Sequence, residues 1–189
     1  MNSMLTIVYY LYSLFFGIIC YSLIIRIGIY ICKISSLHQV SQLIHTLTNP
    51  LVNLSKMIYN FEKKRTLLPL NVVLTLVIVV TVKYIIADFL FYGGLPISYL
   101  LIIICADLIV MPINLLFVSV LIRAIMSWVR PDWRHPVNDI LFAFTEPLLK
   151  LGRFVLPNLS GFDFSPLLVI VILHMLSLFI YVSLPIRLL

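Results

Sequence analysis

The apolar residues of this chain form four long continuous runs, separated by two basic connections and by one short loop without Lys or Arg. The runs lie near residues 4–32, 67–91, 97–128 and 166–186. About 20 apolar residues suffice for a helix to cross a bilayer. Lipid satisfies no backbone hydrogen bonds, so a span must be a helix or part of a closed barrel. Because the runs are continuous rather than alternating, the sequence predicts an all-α membrane protein with four transmembrane helices.

Each basic connection carries a one-sided apolar stripe. Apolar residues recur at spacings of three and four over residues 137–155, and the same stripe appears over residues 40–58. A stripe with polar and basic residues opposite it is typical of a helix that lies in the plane of the membrane interface. A helix that packs on the spans as a lid and a re-entrant segment that dips into the membrane are the other two interpretations, and all three remain open.

A proline interrupts each stripe. Pro50 and Pro147 lack a backbone N–H, so we expect each proline to break its stripe into two short helices. Thr48 and Thr145 lie two residues ahead of the prolines, where a hydroxyl can cap the second helix. Both connections are therefore predicted to be broken amphipathic segments.

The two halves of the chain resemble each other. Residues 23–84 align without a gap onto residues 120–181, at a constant offset of 97. Self-similarity at a fixed spacing identifies the architectural unit of a repeat protein. We predict two parallel repeats, 1–91 and 97–189, each a transmembrane helix pair joined by a broken amphipathic segment.

Charge sets the predicted orientation. The chain is 62% hydrophobic and 11% charged, whereas soluble domains have roughly 45–50% and about 25%. Lys and Arg collect in the connections 33–66 and 129–163 and are absent from the loop 88–96. Basic loops of membrane proteins face the cytoplasm, so both connections are predicted to be cytoplasmic and both termini to lie outside. The net charge of +6 then indicates anionic lipid at the cytoplasmic face as a partner and requires no nucleic acid.

Two arginines lie inside the predicted spans. Arg26 and Arg123 each sit about two turns inside the cytoplasmic boundary. Such an arginine either reaches out to lipid phosphates or pins the amphipathic segment against its own repeat. Glu146 or Asp163 could pair with Arg123. The matching positions of the first repeat carry no carboxylate, so we expect backbone carbonyls or lipid to serve Arg26.

Asp107 is predicted to stand alone in the third span. Pro112 follows five residues later and frees a backbone carbonyl. An acid beside a broken helix is typical of cation sites in transporters. The alternative is a carboxylate that is neutral, or that is hydrogen-bonded to Tyr or Ser of a neighbouring span. No enzymatic, cofactor or metal-binding motif occurs, so we expect a protein that is not an enzyme and uses no cofactor.

The second repeat also carries a series of short motifs. They are Arg123-Ala-Ile-Met-Ser127-Trp128, Pro136, Thr145-Glu146-Pro147-Leu148-Leu149, Pro157 and Gly161-Phe162-Asp163-Phe164-Ser165-Pro166. This series resembles the signature of YggT proteins, small bacterial inner-membrane proteins with two such repeats that are similar to the YlmG proteins of Gram-positive bacteria and chloroplasts. The first repeat keeps less of the series: Arg26, Thr48-Asn49-Pro50 and Pro69.

The resemblance implies a bacterial inner-membrane protein that supports survival of osmotic shock and the balance of Na⁺ and K⁺. A second implied role, from plastid and Gram-positive relatives, is a membrane scaffold or assembly factor for membrane complexes, or for division-site or nucleoid organisation. A homo-oligomer and a membrane-protein partner are both left open. The candidate functional residues are Asp107, Arg26, Arg123, Trp128, Glu146, Pro147 and Asp163.

Overall fold

The computed structural model describes residues 3–35, 38–58, 68–129, 135–155 and 163–184. Over these residues the chain is helical, with turns between the helices and no strand. The helices are α1 (Ser3–Ile31), α2 (Gln39–Ile58), α3 (Leu70–Ala87), α4 (Ile97–Val129), α5 (Pro136–Val155) and α6 (Ser165–Val182), and a π-helical turn, Asp88–Tyr92, extends α3.

The four predicted spans are confirmed as helices long and apolar enough to cross a membrane. They are Met4–Ile31, Leu70–Tyr92, Ile97–Ser127 and Ser165–Val182. Most residues of each span are not buried within the protein. Long apolar helices that direct much of their surface outward need lipid to cover them, so the fold is that of a multi-pass membrane protein.

The second and third spans are joined by a tight turn. Gly93 and Gly94 have φ angles of +74° and +100°, in the region that favours glycine because it has no Cβ. The backbone N–H of Leu95 donates to Asp88 Oδ1 at 2.7 Å. This contact closes the turn and directs the chain back into α4, so α3 and α4 run antiparallel.

The helices form two units of three. Helix α1 packs along α3 with α2 against both, and α4 packs along α6 with α5 against both, while α4 also contacts α1 and α3. Helices α2 and α5 meet at one end of the bundle. Nearby, His38 Nε2, just before α2, lies 3.5 Å from Asp139 Oδ2, and Cys32 Sγ, just after α1, lies 3.5 Å from the carbonyl oxygen of Ala143. The shared element order fits the two predicted units, although the internal repeat itself stays a sequence-based prediction.

The predicted breaks at the prolines are wrong. Helices α2 and α5 run continuously for 20 residues each through Pro50 and Pro147, and α4 continues through Pro112. Packing beyond the proline holds each amphipathic helix in place, because Val52 and Leu149 are both 1% exposed. The carbonyl of Ala143, four residues before Pro147, loses its helical donor and accepts the contact from Cys32 Sγ instead.

Candidate functional site

A buried ion pair joins the second and third spans. Lys83 Nζ lies 2.7 Å from Asp107 Oδ2, and the two side chains are 13% and 10% exposed. Lys83 Nζ also lies 4.7 Å from the ring centroid of Tyr84, a distance at which a cation is attracted to an aromatic face. Asp107 thus has a counter-ion on the neighbouring span, a partner that the sequence analysis did not predict.

The sequence did contain a signal for this pair. Lys83 and Asp107 are equally far, 12 residues each, from Leu95 in the turn between their helices. In an antiparallel helix pair, residues at equal distances from the turn come side by side. Because α4 also continues through Pro112, the carboxylate is not a lone acid beside a broken helix. It is an acid with a dedicated counter-ion.

Further polar contacts join the spans on either side of the ion pair. Ser177 Oγ of α6 donates to Asn114 Oδ1 of α4 at 2.9 Å. The hydroxyl of Tyr12 of α1 donates to the backbone carbonyl of Lys83. Asn114 follows Asp107 by seven residues, which places both on one face of α4 about two turns apart. Polar contacts thus link the spans in turn, α1 to α3, α3 to α4 and α4 to α6.

Arg123 connects α4 to α5. Its Nη1 donates to Thr145 Oγ1 at 2.8 Å, its Nη2 lies 2.6 Å from Glu146 Oε2, and its Cζ lies 3.9 Å from the ring centroid of Phe142. Thr145 Oγ1 in turn donates to the carbonyl of Leu141 at 2.6 Å. This geometry is that of an arginine that pins the amphipathic helix against its span. The threonine anchors the arginine and does not cap a second helix.

Arg26 makes the matching contacts between α1 and α2. Its Nη1 donates to Thr48 Oγ1 at 2.6 Å and to Asn49 Oδ1 at 3.0 Å. Thr48 Oγ1 donates to the carbonyl of Ile44 at 2.7 Å. The same two positions of each amphipathic helix therefore hold each arginine. The expectation that backbone carbonyls or lipid alone would serve Arg26 is wrong, because two neutral side chains do so.

The contact at Arg123 extends into a charge network, which has four members in the part of the chain that the structure describes. Glu146 Oε1 lies 3.1 Å from Arg153 Nη1, and Arg153 Nε lies 3.1 Å from Asp163 Oδ2. Asp163 Oδ1 accepts a hydrogen bond from the backbone N–H of Ser165 at 2.9 Å, at the first residue of α6. The network thus ties α4, α5 and the start of α6 together through two cations and two anions.

The network lowers the pKa of both its carboxylates. Hydrogen bonding to Arg123 is the main reason that the pKa of Glu146 lies below its ordinary value, and Arg153 adds to it. Burial raises the pKa of Asp163, but hydrogen bonds from Ser165 and Arg153 outweigh burial and lower it overall. Both carboxylates are therefore charged at neutral pH, and the network is electrically balanced.

The remaining candidate residues sit at the same end of the bundle. Pro147 is exposed in α5, directly after Glu146. Trp128 falls in the last turn of α4, and its side chain lies outside the described part of the structure. The ranges that the structure describes contain no group of His, Cys, Asp or Glu side chains that could hold a metal ion.

The amphipathic helices combine a buried side with exposed apolar edges. On α5, Ile140, Leu141, Phe144 and Leu149 are buried against the bundle, whereas Phe154 is 90% exposed. On α2, Val52 is buried while several large apolar side chains are exposed: Leu43, Leu47, Leu54 and Met57. The helices therefore pack on the spans as the lid interpretation requires, and they also present apolar edges outward.

Four apolar spans, a buried intramembrane ion pair and two arginine-held amphipathic helices define the class as a multi-pass α-helical membrane protein. The CCB3/YggT family model matches residues 102–184, which lie within α4, α5, α6 and the segments that join and follow them. Over these residues the chain is similar to the CCB3/YggT family, and the predicted resemblance to YggT proteins is confirmed.

Individual relatives match over a shorter stretch. "Uncharacterized protein YggT" of Escherichia coli strain K12 is 38% identical over 64 residues, which are 34% of each chain. "Uncharacterized protein PA0392" of Pseudomonas aeruginosa is 32% identical over 68 residues, 36% of this chain and 34% of that protein. An uncharacterized protein of Haemophilus influenzae is 35% identical over 77 residues, 41% and 42% of the two chains. The matches to the first two thus span about a third of each relative's length, and no solved structure matches this chain.

Proposed function

We propose that this protein supports Na⁺ and K⁺ balance during osmotic stress from within a bacterial inner membrane. The observation that carries the proposal is the buried pair of Lys83 and Asp107 between α3 and α4. Ionisable side chains inside a membrane are costly, and they usually mark ion pathways or proton relays. The YggT resemblance, with its implied role in osmotic shock survival, points the same way.

The pair is suited to conditional cation binding. At rest the ammonium of Lys83 neutralises the carboxylate of Asp107 at 2.7 Å, so the bundle interior carries no net charge there. A cation that enters can replace the ammonium as the partner of the carboxylate. We propose that this exchange makes Asp107 accessible to a monovalent cation.

The orientation of the protein in the membrane is part of the same proposal. Lys and Arg concentrate in the two connections that contain α2 and α5, and such loops face the cytoplasm. The end of the bundle where α2 and α5 meet is then the cytoplasmic end. The termini and the Gly93–Gly94 turn face the periplasm.

The test uses three variants that separate charge from folding. Lys83→Gln and Asp107→Asn each leave one buried charge without its partner, which costs about 3–5 kcal/mol for a buried pair. The double variant Lys83→Gln/Asp107→Asn removes both charges and should fold nearly as well as the native protein. We expect it to have lost K⁺ and Na⁺ flux in proteoliposomes and survival of osmotic downshift in cells.

Ser177→Ala is the matched control, because it removes a polar contact between spans while leaving the ion pair intact. It should retain flux and survival. If the double variant is expressed at native levels and keeps both activities, the ion pair is only structural and the ion-balance proposal fails.

A second candidate function is a membrane scaffold or assembly factor. The exposed apolar edges of α2 and α5, with Met57 85% and Phe154 90% exposed, favour it because such edges can receive a partner protein. Full survival by the neutral double variant, combined with loss of survival on Phe154→Ser, would support the scaffold over ion balance.

A further inference from the structure

Among the described residues, no carboxylate faces Arg26. Its two hydrogen bonds go to the Thr48 hydroxyl and to the Asn49 side-chain oxygen, both neutral, and both leave from one guanidinium nitrogen. In the second half, Glu146 supplies a full negative charge at the position of Asn49. Glu62, in the connection after α2, lies outside the described residues. The site built by α1 and α2 therefore carries a net positive charge over the residues that the structure describes.

Arg26 also lies close enough to the end of its span for its side chain to reach lipid phosphates. It precedes the last residue of α1 by five positions, roughly 7.5 Å along the helix axis. Exposed apolar side chains flank it on both helices, namely Tyr30, Ile31, Leu43 and Leu47. Such neighbours need to be covered by acyl chains rather than by water. A guanidinium with no opposite charge is costly at this depth, unless an anion from the bilayer pairs with it.

The pKa of His45 on α2 agrees with an uncompensated positive charge at Arg26. Burial lowers the pKa of His45, and the positive charge of Arg26 lowers it further. His45 is therefore mainly neutral at neutral pH. The positive potential on this side of α2 comes from a permanently charged arginine, which can hold an anion at any physiological pH.

We propose that Arg26 and Asn49 bind the phosphate of an anionic phospholipid from the leaflet at the α2 side of the membrane. A guanidinium has five N–H donors in a planar fork that matches phosphate oxygens. The amide nitrogen of Asn49 adds a donor beside it, because Asn49 Oδ1 already accepts from Arg26. At the matching position of the second half, the carboxylate of Glu146 pairs with Arg123 and repels phosphate. The inference is independent of the ion-balance proposal.

The experiment counts lipids that remain bound to the purified full-length protein. Dihexanoyl phosphatidylglycerol is titrated into the protein in a neutral detergent and retained molecules are counted by native mass spectrometry. Asn49→Glu transfers the carboxylate of the second half into the first, at an exposed position that tolerates the change. It should weaken phosphatidylglycerol binding about tenfold, the effect of losing one charge-assisted contact. Glu146→Asn makes the reciprocal change and should add a second binding site.

Two further arms identify the ligand and the counter-charge. Inorganic phosphate at the same concentration should displace little phosphatidylglycerol; if it competes equally well, the ligand is a soluble anion and the lipid proposal is overturned. Glu62→Gln should leave binding unchanged. Tighter binding by this variant would overturn the proposal, because Glu62 would then be the counter-charge of Arg26. Equal binding by the native protein and by Asn49→Glu would also overturn it.

Discussion

The two amphipathic helices have the same length and hold their arginines through the same two positions, yet their surroundings differ in charge. In the second half, Arg123 faces Glu146 and a network of ion pairs, whereas in the first half the partners of Arg26 among the described residues are neutral oxygens. The same geometry thus gives an electrically balanced contact in the second half and a positively charged contact in the first half. The arginine fixes the position of the helix, and the residue after the threonine decides whether the arginine remains available to an anion.

The halves also differ in the burial of the residue that precedes the threonine on each amphipathic helix. Phe144 of α5 is buried against Ile29 of α1, while the matching residue of α2, Leu47, is 63% exposed. At this position the second half therefore packs across onto the first, whereas the matching side chain of the first half is largely exposed.

The largest expected difference between the halves comes from removing each arginine. Arg123→Gln breaks an ion pair, a hydrogen bond and a cation–aromatic contact, and should lower the free energy of unfolding by about 2–3 kcal/mol, since Glu146 is partly exposed and water offsets some of the loss. Arg26→Gln removes two hydrogen bonds to neutral acceptors and should cost about 1 kcal/mol. Thermal unfolding of both purified variants in the same detergent measures the difference.

The double variant Arg123→Gln/Glu146→Gln removes both charges and should recover part of the stability lost by the first change. Equal losses for Arg26→Gln and Arg123→Gln would show that the carboxylate adds nothing to the contact in the second half.

A smaller effect is expected where α5 crosses onto the first half. A Cβ added at Gly28 would lie 2.5 Å from Phe144 Cζ and 2.9 Å from Phe144 Cε1, so Gly28→Ala forces a buried ring to move and should destabilise the protein by about 1–2 kcal/mol. Gly17→Ala in the same helix is the matched control, because nothing lies within 4 Å of its added Cβ. This control should be neutral or slightly stabilising, since alanine favours helix over glycine. Similar stabilities for the two variants would contradict the packing of Phe144 on α1.

Sequence reasoning predicted the spans and the amphipathic segments well, because both follow from the local periodicity of apolar residues. It failed at Pro50 and Pro147 because the effect of a proline depends on tertiary contacts. Packing of Val52 and Leu149 beyond the prolines holds the helices together, and a local rule contains no such information.

The charged contacts were predictable to different degrees. A pairing of Arg123 with Glu146 could be foreseen because the motif suggested it. The pairing of Lys83 with Asp107 was not predicted, although the equal distances of the two residues from the turn indicate it. Arg153 as the link to Asp163 could not be foreseen, because it depends on how α5 and α6 approach each other in space.

The smallest expected difference between the halves is their response to acid. The pKa values of Glu146 and Asp163 are lowered in the folded protein, so the stability they contribute is present above the unfolded values, about 4.3 for Glu and about 3.9 for Asp. It is lost as the pH falls through the lower folded values. The two side chains are 32% and 34% exposed, so we expect each to contribute less than about 1 kcal/mol.

The first half has no carboxylate at the arginine contact among its described residues, so this acid response should belong to the second half. Unfolding of the native protein and of Glu146→Gln/Asp163→Asn is compared in detergent from pH 6 down to about pH 3. The native protein should start more stable, and the difference should shrink towards zero at the acid end, because protonation then removes the same charges as the substitutions. A difference that stays constant over the whole range would mean that the carboxylates act by shape and neutral hydrogen bonding. The contrast between the balanced and the positive arginine contact would then lose its electrostatic basis.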